Sequence, residues 1–311
     1  EHPTNEHLQD LFRALSTMPQ LKDLAIFGFL PSALECGQNS FRNFRSLKQL
    51  SLSTPDLDWV FLEDYQPPDD LVPGDVSVST ELAQNIASIP NLCSIRLFVH
   101  NVAEVAPLLS CPVEHLVVRC IPIREDFSFF GIEHLGPLMN DLKTETRLKT
   151  LDIVEASIDT QHISLVSEML KENRTLERLR LCLSMPNDQA DLCCGLILNA
   201  MSSNNTVRTF RNYQKDKTNV SLATREAQNE IIQQNTSLEK FELFNEKNDD
   251  DLRREKDFLL KMNVMGRGRL MNHQGGGGSM NDWLEVLGDA RGDLSCLYYL
   301  FRMNPSLCQH H

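Results

Sequence analysis

The sequence is short of positive charge: 30 Lys and Arg stand against 43 Asp and Glu, for a formal net charge of −13. That balance repels phosphate backbones and argues against nucleic acid as a general partner. No apolar run approaches the ~20 residues that cross a bilayer, so no membrane span is expected. No basic start followed by an apolar segment is present either, so no signal peptide is visible. A chain that starts at Glu1 without Met reads as trimmed or processed, which leaves room for a removed targeting segment. Cys-x-x-Cys spacing is also missing. The cysteines at 36, 93, 111, 120, 182, 193, 194, 296 and 308 are odd in number, and several sit where a small apolar side chain would serve. They read as buried free thiols in a reducing, intracellular and most simply cytoplasmic setting. Enzyme signatures are lacking: there is no HExxH, Walker A, GxSxG or strand-anchored GxGxxG. His100, His115, His134 and His162 fall in different units without ligand spacing. The expectation is a non-enzyme with no catalytic residue, no metal and no cofactor.

What is present is a repeat. In Arg174–Leu183 the apolar residues Leu176, Leu179 and Leu181 stand three and two apart. The same spacing recurs at Leu21/Leu24/Ile26, Leu47/Leu50/Leu52, Leu92/Ile95/Leu97, Val113/Leu116/Val118, Leu148/Leu151/Ile153, Val207/Phe210/Asn212 and Leu238/Phe241/Leu243. The steps between copies are 26, 45, 21, 35, 28, 31 and 31 residues, the range of a leucine-rich solenoid. Between the copies lie amphipathic segments, expected as helices near 8–17, 80–88 (Thr80 as N-cap), 131–144, 159–172, 188–202 and 221–234. Full helices need more room than strands, so the stack must curve, with parallel strands on the concave face and helices on the convex face. Asn-x-Ser/Thr sequons begin at Asn173, Asn204, Asn219 and Asn235; three precede a repeat strand, where Asn and Thr are ordinary turn residues.

Residues 54–79 break the rhythm with seven acidic residues, Pro and aromatics but no Lys or Arg. This acidic insertion reads equally as a docking loop or as decoration. A helix from Asp250 to Met262 closes the stack, and the glycines of 263–270 end it. The domain reading is therefore a solenoid over 1–270, a Gly-rich linker over 271–280, natural or introduced, and a helical tail over 281–308. Trp283, Leu284, Val286 and Leu287 mark its first helix, and Leu294, Leu297, Tyr298, Leu300 and Phe301 its second. A tail this apolar is expected to dock on the solenoid.

The strand, helix and turn pattern over ~8–270 resembles the ribonuclease-inhibitor-like class of leucine-rich repeat proteins. Phe258-Leu259-Leu260-Lys261-Met262-Asn263 with Gly266-Arg267 resembles the closing segment of a large group of intracellular leucine-rich repeat proteins from diatoms. The tail from Trp283 through Leu297-Tyr298-Tyr299-Leu300-Phe301-Arg302 to Pro305 is similar to theirs. The resemblance implies an α/β solenoid and a binding role, with no shared reaction. Asn212 departs from it, standing where the strand should carry an apolar residue.

Within each strand, residues alternating with the buried ones face solvent. One such row reads Ala25, Ser51, Arg96, Val117, Asp152, Arg180, Arg211, Glu242; the rows beside it contribute Arg178, Arg119, Tyr213 and Phe244. Arg96, Arg119, Arg178, Arg180 and Arg211 concentrate positive charge on an acidic chain, with Tyr213 and Phe244 adding aromatic area. These seven residues are the candidate partner-binding site, for an acidic protein or peptide. The competing account is a solvated ladder balanced by Asp152 and Glu242. As function, the sequence favours a protein-interaction module; the alternative is a regulator of an enzyme, of the GTPase-activating or inhibitor type.

Overall fold

A computed structural model describes residues 5–27, 41–53, 80–99, 106–109, 113–120, 135–144, 147–158, 160–183, 185–213, 219–244, 251–271 and 279–303. The acidic insertion and most of the Gly-rich linker lie outside these residues, as do His100 and His134.

Strand and helix alternate along the chain. Helix α1 (Asn5–Ser16) precedes β1 (Asp23–Phe27) and β2 (Gln49–Ser53); α2 (Thr80–Ala87) leads to β3 (Ser94–Val99) and the short α3 (Ala106–Leu109) to β4 (His115–Cys120). The regular units follow: α4 (Leu135–Lys143) with β5 (Thr150–Ile158), α5 (Thr160–Glu172) with β6 (Arg178–Leu183), α6 (Ala190–Ser203) with β7 (Thr209–Asn212), and α7 (Leu222–Gln234) with β8 (Lys240–Glu242). The eight strands form one all-parallel sheet in chain order, β1 to β8. Neighbouring strands lie about 4.8 Å apart, whereas packed helices need 8–10 Å, so the helical side must fan outward. The fold is an α/β leucine-rich-repeat-like solenoid with strands on its inner, concave side.

Repeat spacing sets the register. Leu24, Leu50, Ile95, Leu116, Leu151, Leu179, Phe210 and Phe241 are laterally paired across the sheet. From Leu50 onward this row is buried, at 0–1% exposure. From Leu47 onward the first apolar position of each repeat, such as Leu176 or Val207, is buried in the turn two residues before the strand, so strands begin later than the apolar pattern suggests. Each turn also repeats one bond pattern. The carbonyl before one strand accepts two backbone N–H groups of the next unit, as Lys149 does from Glu177 and Arg178, and Glu177 from Arg208 and Thr209. Thr80 is the first residue of α2, not its cap. Leu11 is 47% exposed while Phe12 is buried against Phe41, because a helix of the edge unit has a neighbour on one side only.

An asparagine ladder joins the last units. Asn173, Asn204 and Asn235 are at most 2% exposed. Each Oδ1 accepts backbone N–H groups of its own turn: Thr175 and Leu176, Thr206 and Val207, and Ser237. Each Nδ2 donates to carbonyls of the preceding unit: Leu142, then Leu170 and Asn173, then Met201 and Asn204. An asparagine is buried here because its side chain both donates and accepts, which satisfies the backbone groups around it. It also means that three of the four sequons cannot carry a glycan in the folded state.

Helix α8 (Asp251–Val264) and the short α9 (Arg267–Met271) finish the ladder. Asn263 donates to the carbonyls of Asn235 and Leu238, but its Oδ1 accepts from Arg267 Nε instead of from a further turn. Arg267, fully buried, donates from Nη2 to the carbonyls of Ile232 and Gln233, two of the orphan groups at the end of α7. Gly266 sits at φ 92°, a left-handed turn open to glycine, and a Cβ there would come within 3.3 Å of Val286.

The tail helices α10 (Met280–Ala290) and α11 (Leu294–Met303) build a second small core. Trp283, Val286, Ala290, Cys296 and Leu300 pack with Met262 and Leu270. Tyr299 meets Phe258 edge-to-face with ring centroids 5.5 Å apart. Of the apolar residues that mark the two helices, Leu284, Leu294, Tyr298 and Phe301 are 60%, 84%, 69% and 37% exposed. Two short helices docked along one flank turn only one stripe each inward.

Candidate functional site

The concave row runs Arg96, Val117, Asp152, Arg180, Arg211 and Glu242 across neighbouring strands. Parallel pairing therefore places Arg180 beside Arg211, and Arg178 shares their face two residues earlier on β6. Arg96 stands three strands from Arg180, roughly 14 Å at 4.8 Å per strand, and does not join that cluster. Arg119 lies on β4, in register with Val154; its side chain is outside the described residues. Phe244 must be removed from the set. It is 7% exposed and belongs to the main core, since β8 ends at Glu242 and alternation stops with it.

Two of the arginines are held by carboxylates. Arg180 Nη1 donates to Asp152 Oδ2 at 3.1 Å. Arg211 grips Glu242 with two bonds, Nε to Oε2 at 2.6 Å and Nη2 to Oε1 at 3.2 Å. Lys240 Nζ approaches the same Glu242 at 3.3 Å. The Arg211 guanidinium also lies 5.6 Å over the ring of Tyr213. The Glu242 hydrogen bonds raise the Arg211 pKa. Burial pushes Glu242 up, but its hydrogen bonds and charge contacts with Arg211 and Lys240 outweigh this and leave it below the usual carboxylate range. The result is a braced ledge: Asp152 and Glu242 at the ends, Arg180 and Arg211 between, Tyr213 beneath.

Arg178 and Arg96 are exposed and make no ion pair among the described residues. These two retain a full set of donors for an incoming carboxylate. The braced pairs and the free arginines thus have different chemistry, although residue type alone makes them look alike. The signal that separates them is lateral: an acidic residue at the same row position in the adjacent repeat marks an arginine as paired.

Asn212 has a structural explanation. Its Oδ1 accepts from the Leu183 N–H at 2.8 Å and its Nδ2 donates to the Leu243 carbonyl at 2.9 Å. The side chain stitches β6 to β8 where β7 ends. Cys182, Cys193 and Cys194 are buried, and burial pushes the Cys194 thiol up to about 12, far from a reactive thiolate. Among the described residues no three His, Cys, Asp or Glu side chains gather as a metal site. No described helix is long and apolar enough to cross a membrane.

No protein-family model and no curated protein matches the sequence. Solved structures with a similar course include the leiomodin-1 actin-binding site 2, at 20% identity over 44% of this chain and 75% of that one, with a TM-score of 0.36. A crystal structure of a protein from Bacteroides fragilis is 14% identical over 72% of this chain and 69% of that one, with a TM-score of 0.41.

Proposed function

We propose that this chain is a non-enzymatic protein-binding module that takes an acidic protein or peptide segment along its concave face. The observation that supports this most is the unpaired Arg178 beside the braced Arg180 and Arg211, with Tyr213 under the latter. Bracing removes rotamer freedom before a partner arrives, so less ordering cost falls on binding. Arg178 supplies the open guanidinium fork, and Arg96 a second contact three strands along the same surface. An extended acidic segment crossing the strands would meet both. Solenoids commonly bind through this surface, and Arg with Tyr is the composition of binding hot spots.

The test compares wild type with Arg178→Glu and Arg96→Glu, using Arg13→Glu on α1 as a charge-matched control. The Arg13 guanidinium pairs with Asp10, in an exposed ion pair three residues apart. A partner retained by wild type and the control but lost by Arg178→Glu places the interface on the concave face. Equal capture by all the variants would remove the concave face as the binding surface.

A further inference from the structure

The residue that ends each turn, immediately before the strand, forms its own lateral row: Lys22, Lys48, Cys93, Glu114, Lys149, Glu177, Arg208 and Glu239. From Glu114 onward the signs alternate, and neighbours pair: Lys149 with Glu114 at 2.9 Å, and Arg208 with Glu239 at 3.2 Å. The other end is different. Lys22 and Lys48 are lateral neighbours of like charge, an arrangement that is destabilising by itself. Arg45, three residues before Lys48, adds a third cation. All three are exposed, and none makes an ion pair among the described residues.

These three cations line one open cavity of about 520 Å³ with Pro19, Ser46, Asn91 and Cys93. The neutral polar groups of the cavity wall are already committed to backbone carbonyls: Ser46 Oγ to Pro19, Asn91 Nδ2 to Arg45 and Cys93 Sγ to Lys48. These bonds tie the turns of three successive units together and hold the cavity's shape, while the ammonium and guanidinium donors have no ion-pair partner among the described residues. On a chain of net charge −13, three cations around one cavity with no described counter-ion are an exception that a bound anion would resolve.

We propose that this rim cavity is an anion site for a phosphoryl group, with Lys22 and Lys48 as point-charge donors and Arg45 as the fork that meets two of its oxygens. A dianion matches the site better than a single carboxylate, because it neutralises the repelling lysines together. The site is on the turn side of the sheet, separate from the concave ledge, and does not rest on the concave-face reading.

Inorganic phosphate and pyrophosphate titrated into the full chain at constant ionic strength test it, with heat of binding and thermal midpoint as readouts. Wild type is expected to bind saturably. Lys48→Gln and Arg45→Gln should each weaken that binding by about tenfold or more, and Arg291→Gln on the exposed tail should not. Lys48→Gln should also raise the thermal midpoint of the phosphate-free protein, because it removes one of two neighbouring like charges. A merely structural lysine would lower it. A phosphorylated peptide run beside its unphosphorylated form assigns the source: binding by the phosphopeptide points to a modified protein, and binding by the free ions alone to a small phosphorylated compound. A response to phosphate that is non-saturating, or the same in wild type and Lys48→Gln, would overturn the proposal.

Discussion

Single residues carry two distinct roles that composition does not separate. The buried Asn204 side chain closes five hydrogen bonds at its turn, three accepted and two donated. Asn204→Ala leaves those partners dry and should cost about 3 kcal/mol or more, read by urea unfolding. Asn204→Asp should not rescue it, since a carboxylate accepts but cannot donate to the Leu170 carbonyl. Arg180 and Arg178 make a second contrast. Reversal at Arg180 sets a carboxylate against Asp152, which is 7% exposed, and should destabilise the protein by about 2 kcal/mol. Reversal at exposed Arg178 should leave the thermal midpoint within the ~0.5 kcal/mol scatter of surface changes. Thiol chemistry follows the same logic. Cys93, half-buried at the rim, should react with a disulfide reagent in the native state, and Cys194 only as the protein unfolds.

Among the elements, the C-terminal helices do what a following repeat would otherwise do. The end of α7 is closed by Arg267 rather than by another turn, and burial lowers the pKa of that guanidinium while the neighbouring Tyr299 hydroxyl opposes the shift. Helix α11 is tied to α8 by the Lys261–Asp293 ion pair. Lys261 is the main reason that the Asp293 carboxyl is lowered to about 2. A depressed folded value means that the contribution is full above the ordinary aspartate value of 3.8 and is lost as pH falls through about 2. In a Trp59→Phe background, Trp283 emission should therefore shift to the red between these pH values. Lys261→Met should move the onset of that shift to higher pH.

Across the whole molecule, charge is sorted by surface. The chain is strongly acidic, yet its concave ledge and the rim at its first units are locally cationic; among the described residues the first is largely braced by carboxylates and the second is not. A partner approaching the ledge meets fixed geometry; an anion approaching the rim meets three cations with no ion-pair partner among the described residues. The two sites should therefore respond differently to salt. Screening should weaken anion binding at the exposed rim steeply, and affect the partly buried Arg211–Glu242 contact much less.

Periodicity alone was enough for the solenoid, the eight units and the lateral register, because a three-then-two apolar spacing can bury itself only by stacking copies in one alignment. The regular helices were legible within a residue or two for the same reason. The arginine row was also legible, and so was its balancing by Asp152 and Glu242 as an alternative. Read as a flat row the sequence left open which arginines are paired, because the ion pairs join residues about 30 positions apart and show only when adjacent repeats are compared position by position. It misplaced Phe244, whose direction depends on where β8 stops rather than on alternation. It read Asn173, Asn204 and Asn235 only as turn formers, since the carbonyls that make them a ladder come from the preceding unit. The cationic rim was invisible for a similar reason: Lys22, Arg45 and Lys48 become neighbours only when successive turns are laid side by side. Repeats encode position along the stack, but the chemistry between repeats arises when they are stacked.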